Sequence, residues 1–554
     1  MHHHHPLPFG AELQADGSTR FRIWAPSVPS LTLQIAGHSH AMVAEEGDEQ
    51  AGWFSLTLPA PAGTRYRYIL PDGLAVPDPA SRLQAGDVHD ESVVVDPGSY
   101  TWRNTAWLGR PWHETVLYEL HAGVLGGYPG VMDRLPELAA LGITAIELMP
   151  LSDFPGPRNW GYDGVLPFAP DASYGTPDEL KAMIDAAHGL GMMVFLDVVY
   201  NHFGPDGAYL HTYAKSFFRD DMHTPWGAAI DFRRPEVCEY FTHNALYWLH
   251  EYRFDGLRFD AVAQMSEAFL FALAASIRLT TEPGREVHLV CEHEDNRAAL
   301  LRGPAPHFDA QWTDDIHHVL HVLLTGETEG YYSDYADATA HFARCLAGGF
   351  AFQGEYSQHG KKIRGESSAG LPTTAFVAFL QNHDQTGNRA MGERLTTLTS
   401  PARLEAATRL LLTLPFIPLL FMGDEYATEV PFLFFTSHGD DLAELVRRGR
   451  RSEFKHFAAF QDASRRDQIP DPNDPATFER STPDRADPAR YALIQSLLAF
   501  RRHRIVPGLP GCMSLGADIL GPSHVRAAWR MGNGERLTID VDLGDTPHFE
   551  ATLA

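Results

Sequence analysis

TPDELKAMIDAAHGLGMMVFLDVV (176–199) contains one helix followed by one strand, and that order decides the fold. Thr176 supplies a helix cap, Pro177 a first-turn proline and Glu179 an acidic first turn. The helical text runs to Met192, and MVFLDVV (193–199) follows as a short apolar run. An amphipathic helix feeding a short apolar strand is the repeating unit of a parallel sheet.

Seven more runs have the same character: VLYELHA (116–122), AIELMP (145–150), GLRFDAV (256–262), VHLVCEH (287–293), FDAQWTD (308–314), AFVAFLQNHD (375–384) and PLLFMGDE (418–425). Eight strands with helices between most of them predict an α/β fold, a (β/α)8 TIM barrel over 115–504. YALIQSLLAFRRHR (491–504) reads as its last helix. The alternative, an open doubly wound sheet, normally carries a Gly-rich phosphate loop after an early strand, and no such loop occurs here.

Upstream, FRIWAP (21–26), LTLQI (31–35), WFSLTL (53–58) and RYRYIL (65–70) alternate apolar and polar residues. Turn residues at Pro61-Ala62-Gly63 and Pro71-Asp72-Gly73 separate them, which predicts an N-terminal β-sandwich over 6–98. Residues 99–114 read as a linker. Downstream, VRAAWRM (525–531) and RLTIDVDL (536–543) predict a small C-terminal β-domain over 505–554.

The 554 residues suit two or three domains, and 44% hydrophobic with 21% charged residues is ordinary globular composition. The formal net charge of −27 argues against nucleic acid and anionic membrane as partners and leaves neutral substrates such as sugars. Cys238, Cys291, Cys345 and Cys512 form no C-x-x-C spacing and no disulfide framework, which suits a reducing cytoplasm. Cys291 reads as a core residue. MHHHHPLPFGAEL lacks an apolar signal segment, and its histidines are set aside as a tag remnant. No run of about 18 apolar residues suggests a membrane span. Nothing in the sequence speaks to oligomeric state.

Barrel chemistry gathers at the C-terminal ends of strands. There the sequence places Asp197, Asn201 and His202, then Arg258 and Asp260, then Glu292, then His383 and Asp384. Retaining glycoside cleavage needs one carboxylate to attack the anomeric carbon and one carboxylic acid to protonate the leaving oxygen. Asp260 and Glu292 fall on adjacent strands and suit those two tasks. Arg258, two residues before Asp260, points the same way and favours an ionised Asp260. Glu292 requires a raised pKa, for which its flank of Leu289, Val290 and Cys291 is suitable. Asp197 reads as structural. Trp160, Tyr162 and Trp226 offer flat faces for sugar rings, and Asn159 and Asp163 flank the first two.

DVVYNH, GLRFDAV, EHED and QNHD together resemble the four short regions of the α-amylase superfamily, in that order. The resemblance implies Asp260 as nucleophile, Glu292 as general acid/base and Asp384 as the third carboxylate, which grips sugar hydroxyls. It implies sugar contacts for His202 and His383 and makes Arg258 the arginine beside the nucleophile. A narrower likeness runs through YELHAG (118–123), NWGYDG (159–164), YNHFGPDGAYL (200–210), TPWGAAIDF (224–232), HHVLHVLLTGETEGYY (317–332), FLQNHDQTGNRAMGERL (379–395), GRRSEF (449–454) and IPDPNDPATF (469–478). These are similar to the maltooligosyltrehalose trehalohydrolases. VLGGYPGV after YELHAG is shorter than that group's usual stretch, and the C-terminal domain ends earlier. Many members of the superfamily bind calcium through an asparagine like Asn201. Trehalohydrolases are not expected to need it, so no metal and no cofactor are assigned.

The expected activity is therefore retaining hydrolysis of the α-1,4 bond next to the terminal trehalose unit of maltooligosyltrehalose. The substrate-binding set is His202, Arg258, His383, Tyr162, Trp160 and Asp163. Two alternatives stay open: another superfamily enzyme on α-glucan (amylase, debranching or branching enzyme), and a catalytically inactive glycan-binding barrel.

Overall fold

The computed structural model describes residues 2–47, 51–303 and 307–554. Eight parallel strands close into a barrel in chain order: β1 (Leu117–Leu120), β2 (Ala145–Leu148), β3 (Met193–Val198), β4 (Gly256–Phe259), β5 (His288–Cys291), β6 (Ala310–Trp312), β7 (Phe376–Phe379) and β8 (Ile417–Phe421). Seven lie within the predicted runs, β8 begins one residue before its run at Ile417, and the TIM barrel is the fold of this chain. Helices α1 (Gly127–Leu141), α2 (Pro177–Gly189), α3 (Pro235–His250) and α4 (Glu267–Thr280) follow β1 to β4. The unit after β5 departs from the ideal. Among the described residues it carries only a 3-10 turn, Ala298–Leu301, whereas α5 (Asp314–Thr325) and α6 (Ala338–Gly348) both follow β6. α7 (Pro401–Thr413) precedes β8, and α8 (Pro488–Phe500) closes the ring.

Strand period 2 explains how the barrel interior becomes a site. Leu117, Ala145, Met193, Phe195, Val290, Trp312 and Phe379 form a closed apolar core inside the barrel. Two residues further toward the C-terminal end, the same inward positions hold Glu119, Glu147, Asp197 and Glu292. The core thus gives way to charge at one rim. Trp107 and Trp112 pack against this core from the segment predicted as a linker. Trp107 Nε1 donates to Asp255 (2.8 Å) and Trp112 Nε1 to the Thr374 carbonyl (2.8 Å). The segment is therefore a fixed cover over the barrel.

α2 forms where its caps require. Thr176 accepts from the Glu179 N–H while Glu179 accepts from the Thr176 N–H, a reciprocal capping box. α8 ends differently from the prediction. Residues Arg501–Ile505 form a π-turn because Arg501, fully buried, donates to the carbonyls of Leu414 (2.7 Å) and Phe416 after α7.

Before the barrel stand two antiparallel sheets. Gly10–Leu13, Ser18–Trp24, Trp53–Pro59 and Val43–Ala44 form one, and His38–Ala41, Thr32–Ile35 and Arg65–Ile69 lead the other. Phe21, Ile23, Leu33, Tyr66 and Tyr68 are buried. After the barrel, Met513–Gly521, His524–Arg530, Arg536–Asp542 and His548–Leu553 form a meander that packs on α6. The histidine run at the start is docked on the molecule. His5 Nε2 lies 3.0 Å from His243 Nδ1, and His4 pairs with Glu12 at 2.7 Å. Among the described residues no helix is long and apolar enough to cross a membrane.

Candidate active site

Arg258 is the hub of the rim. Its Nη1 donates to Asp197 Oδ2 (2.7 Å) and Asp260 Oδ1 (2.9 Å), and its Nη2 lies 2.8 Å from Glu292 Oε2. The guanidinium is 1% exposed and sits 4.3 Å over the Trp312 ring. β3, β4 and β5 are neighbours in the barrel, so their ends bring three carboxyls to one cation. Such a buried charge is tolerable only when paired on several sides.

The carboxyls differ in environment. Asp260 accepts a second bond from Asn201 Nδ2 (2.8 Å), so both its oxygens are bonded to donors. Glu292 Oε2 also accepts from the Ala261 N–H (2.8 Å). Burial nevertheless pushes Glu292 well above the ordinary carboxyl range. Arg258 opposes the shift, while Asp260, Asp314 and Asp384 add to it. Asp197 is pushed up to about 6 by burial, against the pull of Arg258. Tyr162 Oη donates to Asp197 Oδ2 at 2.6 Å.

His383 is held by a residue that sequence reading overlooked. Glu119 on β1 accepts from the His383 N–H (2.9 Å), and its other oxygen lies 2.5 Å from His383 Nδ1. Burial disfavours the imidazolium, but the Glu119 carboxylate outweighs it and raises His383 to about 9. Asp384 follows at the start of a short helix whose cap is Asn382. Asn388 Nδ2 donates to Asp384 Oδ1 (2.5 Å). Two more acids were overlooked. Asp314, just past β6, is raised by burial, with Arg364 opposing and Asp384 and Asp315 adding. Glu147 on β2 has neither oxygen hydrogen-bonded and is driven far above the carboxylate range by burial, then by Glu119 and Asp197. The strand-end rule locates Asp314. Glu119 and Glu147 stand inside apolar strand text and give no such signal.

The predicted sugar-facing rings divide into three kinds. Trp160 is 4% exposed, donates to the Leu433 carbonyl (2.9 Å), stacks on Phe432 and meets His383 edge-on. It braces His383 from behind and offers no free face, a correction to the expected platform. Tyr162 stacks on His383 with centroids 5.1 Å apart. Trp226 is 50% exposed and stacks on His202 at 4.5 Å. It is carried by the hairpin of Phe218–Thr224 and Gly227–Ile230. His202 itself has both ring nitrogens engaged, by Asn201 Oδ1 and by the Tyr162 carbonyl (3.0 Å). The exposed aromatic face there belongs to Trp226, which His202 backs. Asp163 accepts from Asn159 Nδ2 (2.6 Å) and lies 3.5 Å from His438. Burial opposes its charge, but these two partners hold it below the usual range.

Beyond Asp384 the cleft widens to a cavity of about 340 Å³ between Asp314, Tyr331, Asn388 and the hairpin of Glu355–Ser357 and Lys362–Arg364. Lys362 ties that hairpin to Glu294 (2.9 Å) and Asp295 (2.8 Å), in the loop after Glu292.

The family model for the alpha amylase catalytic domain matches residues 100–226. A malto-oligosyltrehalose trehalohydrolase of Deinococcus radiodurans is 37% identical over 97% of this chain and 90% of its own length. The enzyme of that name from Saccharolobus solfataricus is 37% identical over 81% and 80%. A solved Salmonella typhimurium structure, provisionally named an alpha amylase, is 44% identical with a TM-score of 0.92, covering 97% of this chain and 94% of that one. With this barrel and this likeness over nearly its whole length, the chain belongs to the malto-oligosyltrehalose trehalohydrolase family.

Proposed function

We propose that this protein hydrolyses the α-1,4-glucosidic bond next to the terminal trehalose unit of maltooligosyltrehalose, with net retention, and releases trehalose. The observation that carries the reaction type is the Arg258 fork. It bonds Asp260 and Glu292 at once, so the two carboxyls stand close together, as direct attack by one of them requires. The names of the relatives support the substrate.

In this reading an Asp260 oxygen attacks the anomeric carbon as the bond to trehalose breaks. Glu292 gives its proton to the departing oxygen. Its carboxylate then takes a proton from water, whose oxygen displaces Asp260 and restores the free enzyme. Asp384 and the Nε2 of His383 grip hydroxyls of the ring under attack. Tyr162 and Trp160 fix His383, Trp226 on His202 borders the rim, and Asp163 anchors the Trp160–Tyr162 loop. We further read residues 6–98, 115–504 and 505–554 as the three structural units. All four cysteines are free, which supports a cytoplasmic location.

Product analysis on maltooligosyltrehalose beside maltooligosaccharides of equal length tests the substrate. Rapid trehalose release from the former is expected. Fast cutting or rearrangement of plain maltooligosaccharides without trehalose release would instead identify an amylase, debranching or branching activity.

A further inference from the structure

A small basic pocket lies at the end of the barrel opposite the catalytic rim. His3, His250, Arg253, Glu282 and Arg285 stand in its wall, and its volume is about 280 Å³. Arg253 lies between α3 and β4, and Arg285 between α4 and β5. Both belong to segments that enter strands, whereas the rim is built where strands end. The two guanidinium groups are buried, at 4% and 9% exposure. Arg253 gives Nη2 to the Trp107 carbonyl (2.7 Å), and its Nη1 lies 3.0 Å from His3 Nε2. Arg285 gives Nη2 to the Phe254 carbonyl (2.8 Å), and its Nε is buried without a partner. Among the described residues neither arginine forms an ion pair.

A buried charge without a bonded counter-charge is costly. Asp255, the strongest carboxylate influence on both arginines, has its oxygens engaged by Trp107, His188 and the Val194 N–H. Glu282 is exposed, and water screens it. The pocket therefore keeps a positive field in a protein of net charge −27. Burial and then Arg285 lower His250 to about 4, and burial and then Arg253 lower His3 to about 4. Glu282 opposes both shifts and is outweighed. A phosphate group matches these donors. Its charge answers the guanidinium groups, and its several oxygens accept from Arg285 Nε and its neighbours at once. The volume sits at the lower edge of small-molecule pockets, about 300 Å³, which suits a compact anion and not a glucan chain.

We propose that this pocket binds a phosphate group, free or carried by a small metabolite, between Arg253 and Arg285. The site is separate from the cleft and does not depend on the substrate proposed above. The bound group ties the segment before β4 to the segment before β5. Those two strands lead to Asp260 and Glu292 at their other ends, so the anion braces the base of the catalytic pair. Binding to the folded chain alone also stabilises it, in proportion to the logarithm of the ligand concentration.

The test is calorimetric titration of the full chain at constant ionic strength in chloride, with inorganic phosphate and a hexose 6-phosphate as separate probes. Saturable binding at one site per chain is expected for at least one probe, and the tighter probe identifies the source of the phosphate. Arg285→Gln should weaken binding about tenfold, the loss of one charge-assisted contact. Glu282→Gln removes the competing carboxylate from the wall and should tighten binding about threefold, the size of a screened surface charge. His3→Ala should still bind, because both arginines belong to the barrel. Circular dichroism checks the folding of each variant, and Glu282→Gln decides if Arg285→Gln does not fold. Wild-type protein that binds neither probe saturably overturns the proposal. So does a folded Arg285→Gln that binds like wild type, or a Glu282→Gln that binds no more tightly. Binding that vanishes in His3→Ala overturns it as well, since the histidine run would then be the whole site.

Discussion

Glu119→Gln keeps the shape of the side chain behind His383 and removes its charge. In the wild type His383 moves from 6.5 to about 9, burial being outweighed by Glu119. At about 1.4 kcal/mol per pKa unit, that favours the imidazolium by about 3 kcal/mol. His383 is 2% exposed, so little of this is lost to solvent screening. A folded-state value above the unfolded one contributes stability fully below 6.5, and that stability is lost as the pH rises through about 9. In the variant, burial acts without the carboxylate and drives the value below 6.5. Arg258 on β4 pushes the same way, Asp384 on the short helix after β7 pulls against it, and buried Glu147 on β2 and His121 after β1 face the ring as neutral groups. Between 6.5 and about 9 the wild type therefore carries a charged His383 and the variant a neutral one. Glutamine still donates to Nδ1, so the ring keeps its orientation and a donor at Nε2. Only the charge is lost, and a charge-assisted bond to a sugar hydroxyl is about twice as strong as a neutral one, so kcat/KM should fall about tenfold. Histidine-selective NMR titration measures the first effect, and pH profiles of kcat/KM measure the second. A His383 that titrates alike in both proteins, or superimposed activity profiles, would refute the ion-pair reasoning.

Asp260→Asn should lower kcat by several orders of magnitude with an unchanged circular dichroism spectrum, as removal of a nucleophile does; near-normal turnover would exclude the assignment. Glu292 must be protonated to act, and burial holds its pKa up, so kcat/KM should fall on the alkaline side, above the usual carboxylate range. Glu292→Gln should abolish that limb and recover part of the lost rate with substrates whose leaving group needs no proton. Thr176→Ala removes half of a capping box and should cost about 1 kcal/mol, read as faster amide exchange in the first turn of α2 and little change in kcat.

The barrel was legible because strands buried on both faces read as apolar runs, and helices such as α2 announce their ends chemically. Asp260, Glu292, His383 and Asp384 were legible because they stand where a strand stops. The two rim hairpins were not. FRDDMHT (218–224) lacks the alternation of a half-buried strand, since it is held by loop packing and by Trp226 against His202. Glu119 and Glu147 were hidden for the opposite reason. One charged letter inside LYEL or AIEL does not disturb an apolar pattern, and only barrel closure shows that β1 faces His383. The engagement of both His202 nitrogens depends on a backbone carbonyl forty residues away in sequence, which no local pattern encodes.

The Arg258 fork has one more implication for the proposed reaction. In the first half-reaction Asp260 surrenders its negative charge to a covalent bond, and Glu292 acquires one as its proton departs. The two carboxyls are bonded to the two arms of the same guanidinium, so the cation faces the same total charge before and after. Negative charge moves from one arm to the other, and in the second half it moves back. A rigid pocket could not follow a large change in its own charge without rearranging. By placing one fixed cation between donor and recipient, the barrel makes each half-reaction a transfer within a constant field.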